Sequence, residues 1–419
     1  MQLKSLSLRN FRLFQSLDLL TPQQIILITG NNAQGKTSIL EAIYYLATFS
    51  SFHASSDRQL IRFNAQRSDL EPSVAHIKAD FESGTSIRHI EVRLILQPDR
   101  NGSPRFYKEI LLDNARKKVN EALGKFNAVL FLPGMTEIID GSPEQRRRYL
   151  NMMIAQAIPT YVDHLIQYNQ AIQQRNALLK ILAEKRSAIS QLDIWDEKIA
   201  RAGARIIFER DRVIDELRLE AQFIHQNLSH DLESLQLIYQ PSFDPAKPDA
   251  SHEPSLFQAV QSASFTNRSH LTVETIEKSF LNQLQVSRRI DISRGVSSIG
   301  PHRDEIRFLS NNTDLGIYGS RGQIRTALIS VKFAEAKWLK KRTGQLPVML
   351  LDEVLAEIDE RRRYDLLHYL EEGNQTFLTT TDMNLFSADY LNRCKIWKIH
   401  QGMVAANHPT ELTLPAADV

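Results

Sequence analysis

The chain has 419 residues, 42% hydrophobic and 24% charged, the profile of a globular protein with apolar mass for more than one core. Its 51 basic and 49 acidic residues leave a net charge of +2, so no global basicity announces nucleic acid and any such surface must be local. The lone Cys394 excludes a disulfide framework; with no secretion-signal pattern at MQLKSLSLRNF and no run of eighteen apolar residues, no membrane partner is expected and the expected compartment is cytoplasmic.

Residues 1–132 read as β-structure around one helix. The expected strands are 6–8, 25–29, 74–81, 87–96 and 105–113, with turns at ESG (82–84) and PDRNGSP (98–104). A helix is expected over 36–48, directly after a glycine loop. The character changes at DGSPEQRRRYL, where Ser142 caps a helix, Pro143 takes its first position and Gln145 completes a capping box. No proline separates Pro159 from Pro241, and apolar residues recur at helical spacing over 161–182 and 192–228. No heptad is sustained long enough for an extended coiled-coil arm. Residues 241–255 read as a loop.

From about 290 the strand–helix alternation returns. A strand at 304–309, a helix at 321–341, a buried strand at 347–351, a helix at 359–371 and strands at 375–380 and 395–400 are expected. The fold class is therefore α/β, one core written in two halves with a short helical domain inserted. The expected division is 1–140, 141–290 and 291–419.

GNNAQGKT (30–37) fits the phosphate-loop pattern G-x-x-x-x-G-K-[ST], set between an apolar strand and an amphipathic helix. Gly30 and Gly35 let backbone N–H groups converge on phosphate oxygens, across Asn31, Asn32, Ala33 and Gln34. The helix N-terminus at Lys36, Thr37 and Ser38 adds its positive dipole end. Lys36 is placed to reach the β- and γ-phosphates of ATP, and Thr37 to set its hydroxyl on Mg²⁺. In VMLLDEVLAEID (348–359) four apolar residues bury a strand, and acids appear where it emerges. Asp352 is then a Mg²⁺ ligand of the Walker-B kind, and Glu353 the general base or orienter of an attacking water. Taken alone, two carboxylates at a strand end equally well open a helix.

Lys36 and Asp352 stand 352 − 36 = 316 positions apart, far more than in simple P-loop switches. This is the organisation of the ABC-type ATPase heads of SMC-like chromosome proteins. YGSRGQIRT (318–326) resembles their signature loop, with Ser320, Arg321, Gly322 and Gln323 ahead of a helix. In that superfamily the loop covers the γ-phosphate held by a partner chain, with a serine hydroxyl, glycine N–H groups and a helix N-terminus aimed at negative charge. The plain alternative is a serine-capped helix that binds nothing. The basic runs at 115–118, 146–148, 340–342 and 361–363 are candidates for DNA phosphates, and equally for solvated helix faces.

The sequence resembles the RecF family over nearly its whole length. The resemblance is carried by LSLRNFRLF (6–14), GNNAQGKTSILEAIYYL (30–46), GSPEQRRRYLN (141–151), QRNALLK (174–180), LDIWDEKIA (192–200), SSIGPHRDEIRF (297–308), GSRGQIRTA (319–327), VMLLDEVLAEID and FLTTTD (377–382). It implies a weak ATPase with an SMC-like head, using ATP and Mg²⁺ and forming an ATP-dependent homodimer. It also implies binding to double-stranded and gapped DNA, and work with RecR and RecO to load RecA. By match, Gly30 to Thr37 form the ATP loop, Asp352 and Glu353 the Mg²⁺ and water-handling acids, and Ser320 to Gln323 the trans signature. Asp359 falls in the adjoining dimer-contact loop, and Arg12 at a basic position that reaches the nucleotide phosphates in related heads.

Three places depart from the family pattern. Gly134 and Met135 follow VLFLP where an acidic pair is common, which puts a contact from that segment in question. His53 stands where arginine is expected, and the Walker-B pair is Asp352–Glu353 rather than two aspartates. His302 and Arg303 mark the family without a derived role; a structural histidine is expected, since no His or Cys partner sits at metal spacing. The reading adopted is an ATP-switched DNA clamp; the alternatives are a nucleotide-gated scaffold for RecR-type partners with little catalytic role, against which intact Glu353 argues, and a transporter ATPase subunit, against which the helical insert and GPHRD argue.

Overall fold

The computed structural model describes residues 1–21, 23–66, 72–98, 104–184, 189–247, 266–371 and 373–407. They form two compact units, one from residues 1–134 and from 339 onward, the other from 135–338. The first unit opens with β1 (Gln2–Phe11), β2 (Phe14–Leu20) and β3 (Ile25–Thr29), followed by helix α1 (Lys36–Thr48). β4 (Ser73–Ser83), β5 (Ser86–Gln97), β6 (Arg105–Leu112) and β7 (Ala115–Lys117) complete an antiparallel sheet of order β2-β1-β4-β5-β6-β7. In β4 the alternation decides the faces: Ala75, Ile77, Ala79 and Phe81 are buried, while His76, Lys78 and Asp80 are only half-buried. Of the turn expected over 98–104, residues 99–103 lie outside the described residues. β8 (Ala128–Phe131) is buried throughout.

The second unit is mainly helical. Ser142 caps α2 (Pro143–Ala157) in the expected capping box, its hydroxyl accepting from Gln145 N and Gln145 Oε1 accepting from Ser142 N at 2.7 Å. α3 (Pro159–Glu184) and α4 (Asp193–Leu228) match the two helical runs. Next come β9 (Leu235–Gln240), α5 (Val273–Arg294), β10 (Glu305–Ser310), β11 (Thr313–Asp314) and α6 (Arg321–Thr343). Helices α3, α4 and α5 pack on one another, and β9, β10 and β11 form a small antiparallel sheet. Because β10 pairs with β9 along its length, residues 291–338 pack in this unit, whereas the sequence groups them with the C-terminal half of the head. Of the loop expected over 241–255, residues 248–255 lie outside the described residues.

Segments that mark the family resemblance meet in the core of this unit. Arg175, of QRNALLK, is fully buried; Nε donates to Asp196 at 2.6 Å, and Nη1 to Asp291 at 2.7 Å and to the Ser297 hydroxyl at 2.8 Å. Arg210 of α4 donates to Asp304 at 2.8 Å, the Pro301 carbonyl at 2.6 Å and the Tyr161 hydroxyl at 3.0 Å. GPHRD thus acquires a structural role. Gly300 has φ 125°, and a Cβ there would stand 2.2 Å from the Tyr168 hydroxyl, so both conformation and space demand glycine.

His302 is held on both ring nitrogens. Nε2 faces the Ser297 carbonyl at 3.3 Å, which can only accept, so Nε2–H donates and Nδ1 accepts from Tyr168 Oη at 2.7 Å. Burial pushes the His302 pKa down to about 4. The unfolded chain therefore takes up a proton near pH 6.5 that the folded chain refuses until about pH 4. This contribution is complete above pH 6.5 and is lost as pH falls towards 4, at most about 3 kcal/mol. Urea midpoints measured between pH 7 and 4.5 should fall for the native chain and fall less for His302→Gln.

The chain then returns to the first unit as β12 (Val348–Asp352), α7 (Glu360–Leu370), β13 (Thr376–Thr380), β14 (Lys395–His400) and β15 (Met403–Asn407). The second sheet runs β15-β14-β3-β13-β12-β8, parallel from β14 to β8, with β15 antiparallel on its edge. Buried Gln375 joins the two sheets of the unit: its Oε1 accepts from Leu3 N at 2.6 Å, and its Nε2 donates to the Leu3 and Thr21 carbonyls, each at 2.9 Å. Among the described residues no helix is long and apolar enough to cross a membrane.

Candidate nucleotide site

Parallel pairing decides where the functional groups meet. β3, β13 and β12 run side by side, so their carboxyl ends, Thr29, Thr380 and Asp352, open on one edge of the sheet. From that edge β3 continues into the glycine loop 30–35 and α1, an α-helix with Gly35 at its N-cap. Gly30 has φ 152° and Gly35 has φ 106°. A Cβ at Gly30 would meet the Ile399 carbonyl oxygen at 2.4 Å, and one at Gly35 the Phe14 ring at 2.8 Å. Both glycines are therefore required by packing as well as by the turn.

Thr37 and the acids are in direct contact. The Thr37 hydroxyl lies 2.8 and 3.0 Å from the two Asp352 carboxylate oxygens. Thr379 donates to Asp352 Oδ1 at 2.6 Å and accepts from Glu353 N at 3.0 Å, locking the strand end. Glu353 adopts a left-handed backbone, φ 52°, unusual for a non-glycine residue and a mark of a constrained site. Its Oε2 accepts from Thr381 N at 3.2 Å. Its Oε1 faces Lys36 Nζ at 3.1 Å, an ion pair without hydrogen-bond alignment. Lys36 Nζ also donates to the Gly30 and Asn31 carbonyls at 2.8 and 3.3 Å. Of the rest of the loop, the Gln34 side-chain oxygen accepts from Gln401 N at 2.5 Å, and Ala33 is left-handed with φ 62°.

The Thr37 and Asp352 donors are hydroxyl and carboxylate oxygens, a hard set that fits Mg²⁺. No group of three or more His, Cys, Asp or Glu among the described residues could hold a metal ion.

Beside the loop lies a cleft of about 720 Å³, lined by Arg12, Leu13, Thr37, Ser38, His53 and Phe63 among others. Arg12 makes a bidentate pair with buried Glu41 of α1, Nε and Nη2 each at 2.7 Å, and the Ser51 hydroxyl donates to the same carboxylate at 2.5 Å. Nη1 donates to the Gln59 carbonyl at 3.3 Å, so all three guanidinium nitrogens are held beside the cleft. Phe14, Thr379, Thr381 and Glu41 join the site through the fold and carry no motif of their own. Only Thr379 and Thr381 leave a trace in the sequence, as hydroxyl residues at the end of an apolar strand in FLTTTD.

The Ser320–Gln323 loop belongs to the second unit. Ser320 Oγ accepts from Gln323 N at 3.2 Å and Gln323 Oε1 from Ser320 N at 3.0 Å, a reciprocal cap at the start of α6. Ser320, Arg321 and Gly322 are exposed.

The chain matches the family described as RecF/RecN/SMC N terminal domain over residues 2–404. It is 34% identical to the DNA replication and repair protein RecF of Natranaerobius thermophilus, across 96% of this chain and 97% of that protein. The chain belongs to the RecF family. A solved structure of the recombination mediator protein RecF with ATP in the RecFOR pathway superposes with a TM-score of 0.79 at 30% identity, covering 97% of this chain and 98% of that one. An SMC head bound to the C-terminal winged-helix domain of ScpA gives a TM-score of 0.52 at 14% identity, a likeness of fold alone. The fold is thus an ABC/SMC-type ATPase head, and RecF membership places the chain among DNA replication and repair proteins.

Several residues of this RecF-family chain have local tasks. Arg146 pairs with Glu305 and Arg147 donates to the Asp304 carbonyl, so these two of the 146–148 run serve the second unit's interior. In the 361–363 run, Arg363 donates to the Leu355 and Ile358 carbonyls and Arg362 pairs with Asp359, the N-cap of α7. Arg116 pairs with Glu109, while 340–342 are exposed at the end of α6. Gly134 and Met135 lie in a 3₁₀ turn over Pro133–Thr136. His53 packs its ring on Phe52 beside the cleft.

Proposed function

We propose that this chain is an ATP-switched DNA-binding protein of recombinational repair: a weak ATPase that dimerises on ATP, clamps double-stranded DNA at gaps and, with RecR and RecO, helps to load RecA. The observation that carries this reading is the convergence of Lys36, Thr37, Asp352 and Glu353 on one sheet edge in a RecF-family chain that also carries an exposed Ser320–Gln323 cap. RecF with ATP, in the RecFOR pathway, is a full-length structural relative, which supports ATP as the nucleotide.

The roles follow from the groups. Lys36 binds the β- and γ-phosphate oxygens, exchanging its loop carbonyl partners for them. Thr37 and Asp352 hold Mg²⁺, which when bound neutralises charge on the transferring phosphoryl group. Glu353, anchored by Thr381, orients the attacking water and accepts its proton. Ser320 to Gln323 cover the γ-phosphate bound by a second copy, so each nucleotide joins two chains. Loss of that phosphate loosens the dimer, and DNA held between the chains is released.

The test is the solution mass of the Glu353→Gln chain by light scattering, with Mg²⁺–ATP and then with Mg²⁺–ADP. A dimer with ATP and a monomer with ADP is the expected result. An unchanged mass at saturating ATP would defeat the clamp. Ser320→Arg, which sets a bulky cation into the exposed cap, should weaken ATP-dependent dimerisation by at least about tenfold while monomer ATP affinity changes little. Loss of monomer ATP binding in that variant would show that the loop acts in cis.

A further inference from the structure

The side chain of Gln323 has a second partner that its capping role does not require. Its Oε1 is occupied by Ser320 N, and its Nε2 donates to Glu233 Oε1 at 3.2 Å. The other carboxylate oxygen of Glu233 accepts from the Ser310 hydroxyl at the end of β10 and contacts His225 Nε2, both at 3.2 Å. His225 is fully buried in the last turn of α4, and its Nδ1 lies 3.2 Å from the Ser330 hydroxyl of α6. Glu233 therefore ties the capping loop, the long helix α4, β10 and the body of α6 through one carboxylate.

The turn that presents Glu233 is firmly held. His230 and Asp231 take consecutive left-handed conformations, φ 51° and 62°, a costly arrangement that its surroundings must impose. The Ser229 hydroxyl accepts from Glu233 N at 3.3 Å, and the Asn311 side chain accepts from Ser234 N at 2.9 Å and donates to the Leu232 carbonyl at 3.2 Å. Such a clamped turn offers Gln323 a fixed acceptor.

We propose that Glu233 is a positioning residue for the Ser320–Gln323 loop, fixing the Gln323 amide so that the loop is preorganised for the partner's nucleotide and linking it through His225 to α4. This rests on the reading of that loop as a trans signature. Docking a loop whose geometry is already set avoids an ordering cost at the moment of dimerisation. The coupling also makes the loop's readiness depend on the position of α4.

The experiment measures ATP-dependent dimerisation by light scattering, and monomer ATP affinity by titration at protein concentrations below dimerisation. The full-length chains compared are Glu233→Ala, Glu233→Gln and Ser320→Arg, each in the Glu353→Gln background. Removing a hydrogen-bonded carboxylate should raise the dimer dissociation constant of Glu233→Ala about tenfold. Its monomer ATP affinity should stay within about twofold, and Glu233→Gln, which keeps an acceptor for Gln323, should recover most of the loss. Faster amide exchange confined to the 320–324 segment of the Glu233→Ala monomer is also expected, which a general loss of stability would not produce. If the alanine chain does not fold, Glu233→Met keeps the side-chain volume and carries the same expectation. Normal dimerisation of Ser320→Arg would show that the trans reading itself is wrong. A monomeric Ser320→Arg beside a Glu233→Ala or Glu233→Met chain that dimerises like the native one would overturn the positioning role alone.

Discussion

Replacing Glu353 with glutamine should slow single-turnover ATP hydrolysis by about 10²- to 10³-fold while leaving ATP binding and the ATP-dependent dimer in place. The amide is nearly isosteric and can still accept from Thr381 N, so the left-handed turn at φ 52° is kept. What is lost is the negative charge that faces Lys36 and the basicity needed to take a proton from water. Rapid-quench measurement of the first turnover, beside an equilibrium ATP titration, separates chemistry from binding. A first turnover equal to that of the native chain would remove Glu353 from the catalytic role and favour the scaffold reading, in which nucleotide gates partner binding without hydrolysis.

The second large effect belongs to the interior of the helical unit. Arg175→Ala should destabilise that unit by about 3–5 kcal/mol, because fully buried Asp291 loses its charge partner and fully buried Asp196 one of its two, Arg288 remaining at 2.6 Å. Arg175→Lys should recover only part of this, since a single ammonium cannot span two carboxylates and the Ser297 hydroxyl as the guanidinium fork does. Two of the three tryptophans, Trp195 and Trp338, report on this unit, so its urea transition can be followed by their fluorescence. A midpoint within error of the native value for Arg175→Ala would mean that the carboxylates find other partners.

Local signals in the sequence translated well into structure where the physics is local. The α1 helix occupies the expected 36–48, and the Ser142–Gln145 cap opens α2, because a glycine loop and a capping box each depend on a few adjacent residues. β2 was not anticipated: FQSLDLL interrupts its apolar period with Gln15 and Ser16. α5 was not anticipated either, since part of its inner face is polar, with Ser287 and Asp291 buried. Asp291 is tolerated there only because Arg175 arrives from α3, a partner 116 positions away that no window contains.

The candidate nucleotide site is expected from its charged and glycine residues, and its supports are not. Lys36, Thr37, Asp352 and Glu353 stand out by residue type and motif spacing, and the structure brings their side chains together. Phe14 supports Gly35, and Glu41 holds Arg12, only because β2 and α1 fold over them. The placement of 291–338 in the second unit likewise depends on the β9–β10 pairing, whose register joins Leu235 to Ser310.

The arrangement of the parallel sheet bears on how the protein is made. Strand β3 leaves the ribosome early, yet its two neighbours, β13 and β14, are the strands at 376–380 and 395–400. From Thr29 to Thr376 is 376 − 29 = 347 positions, so at about 5–20 residues per second the apolar stretch IILI waits roughly 20–70 s for its first partner. Throughout that interval the wall formed by Ile399 and Gln401 against the glycine loop has not been synthesised. A nascent chain therefore carries the phosphate-loop residues before the residues that wall the loop have been made.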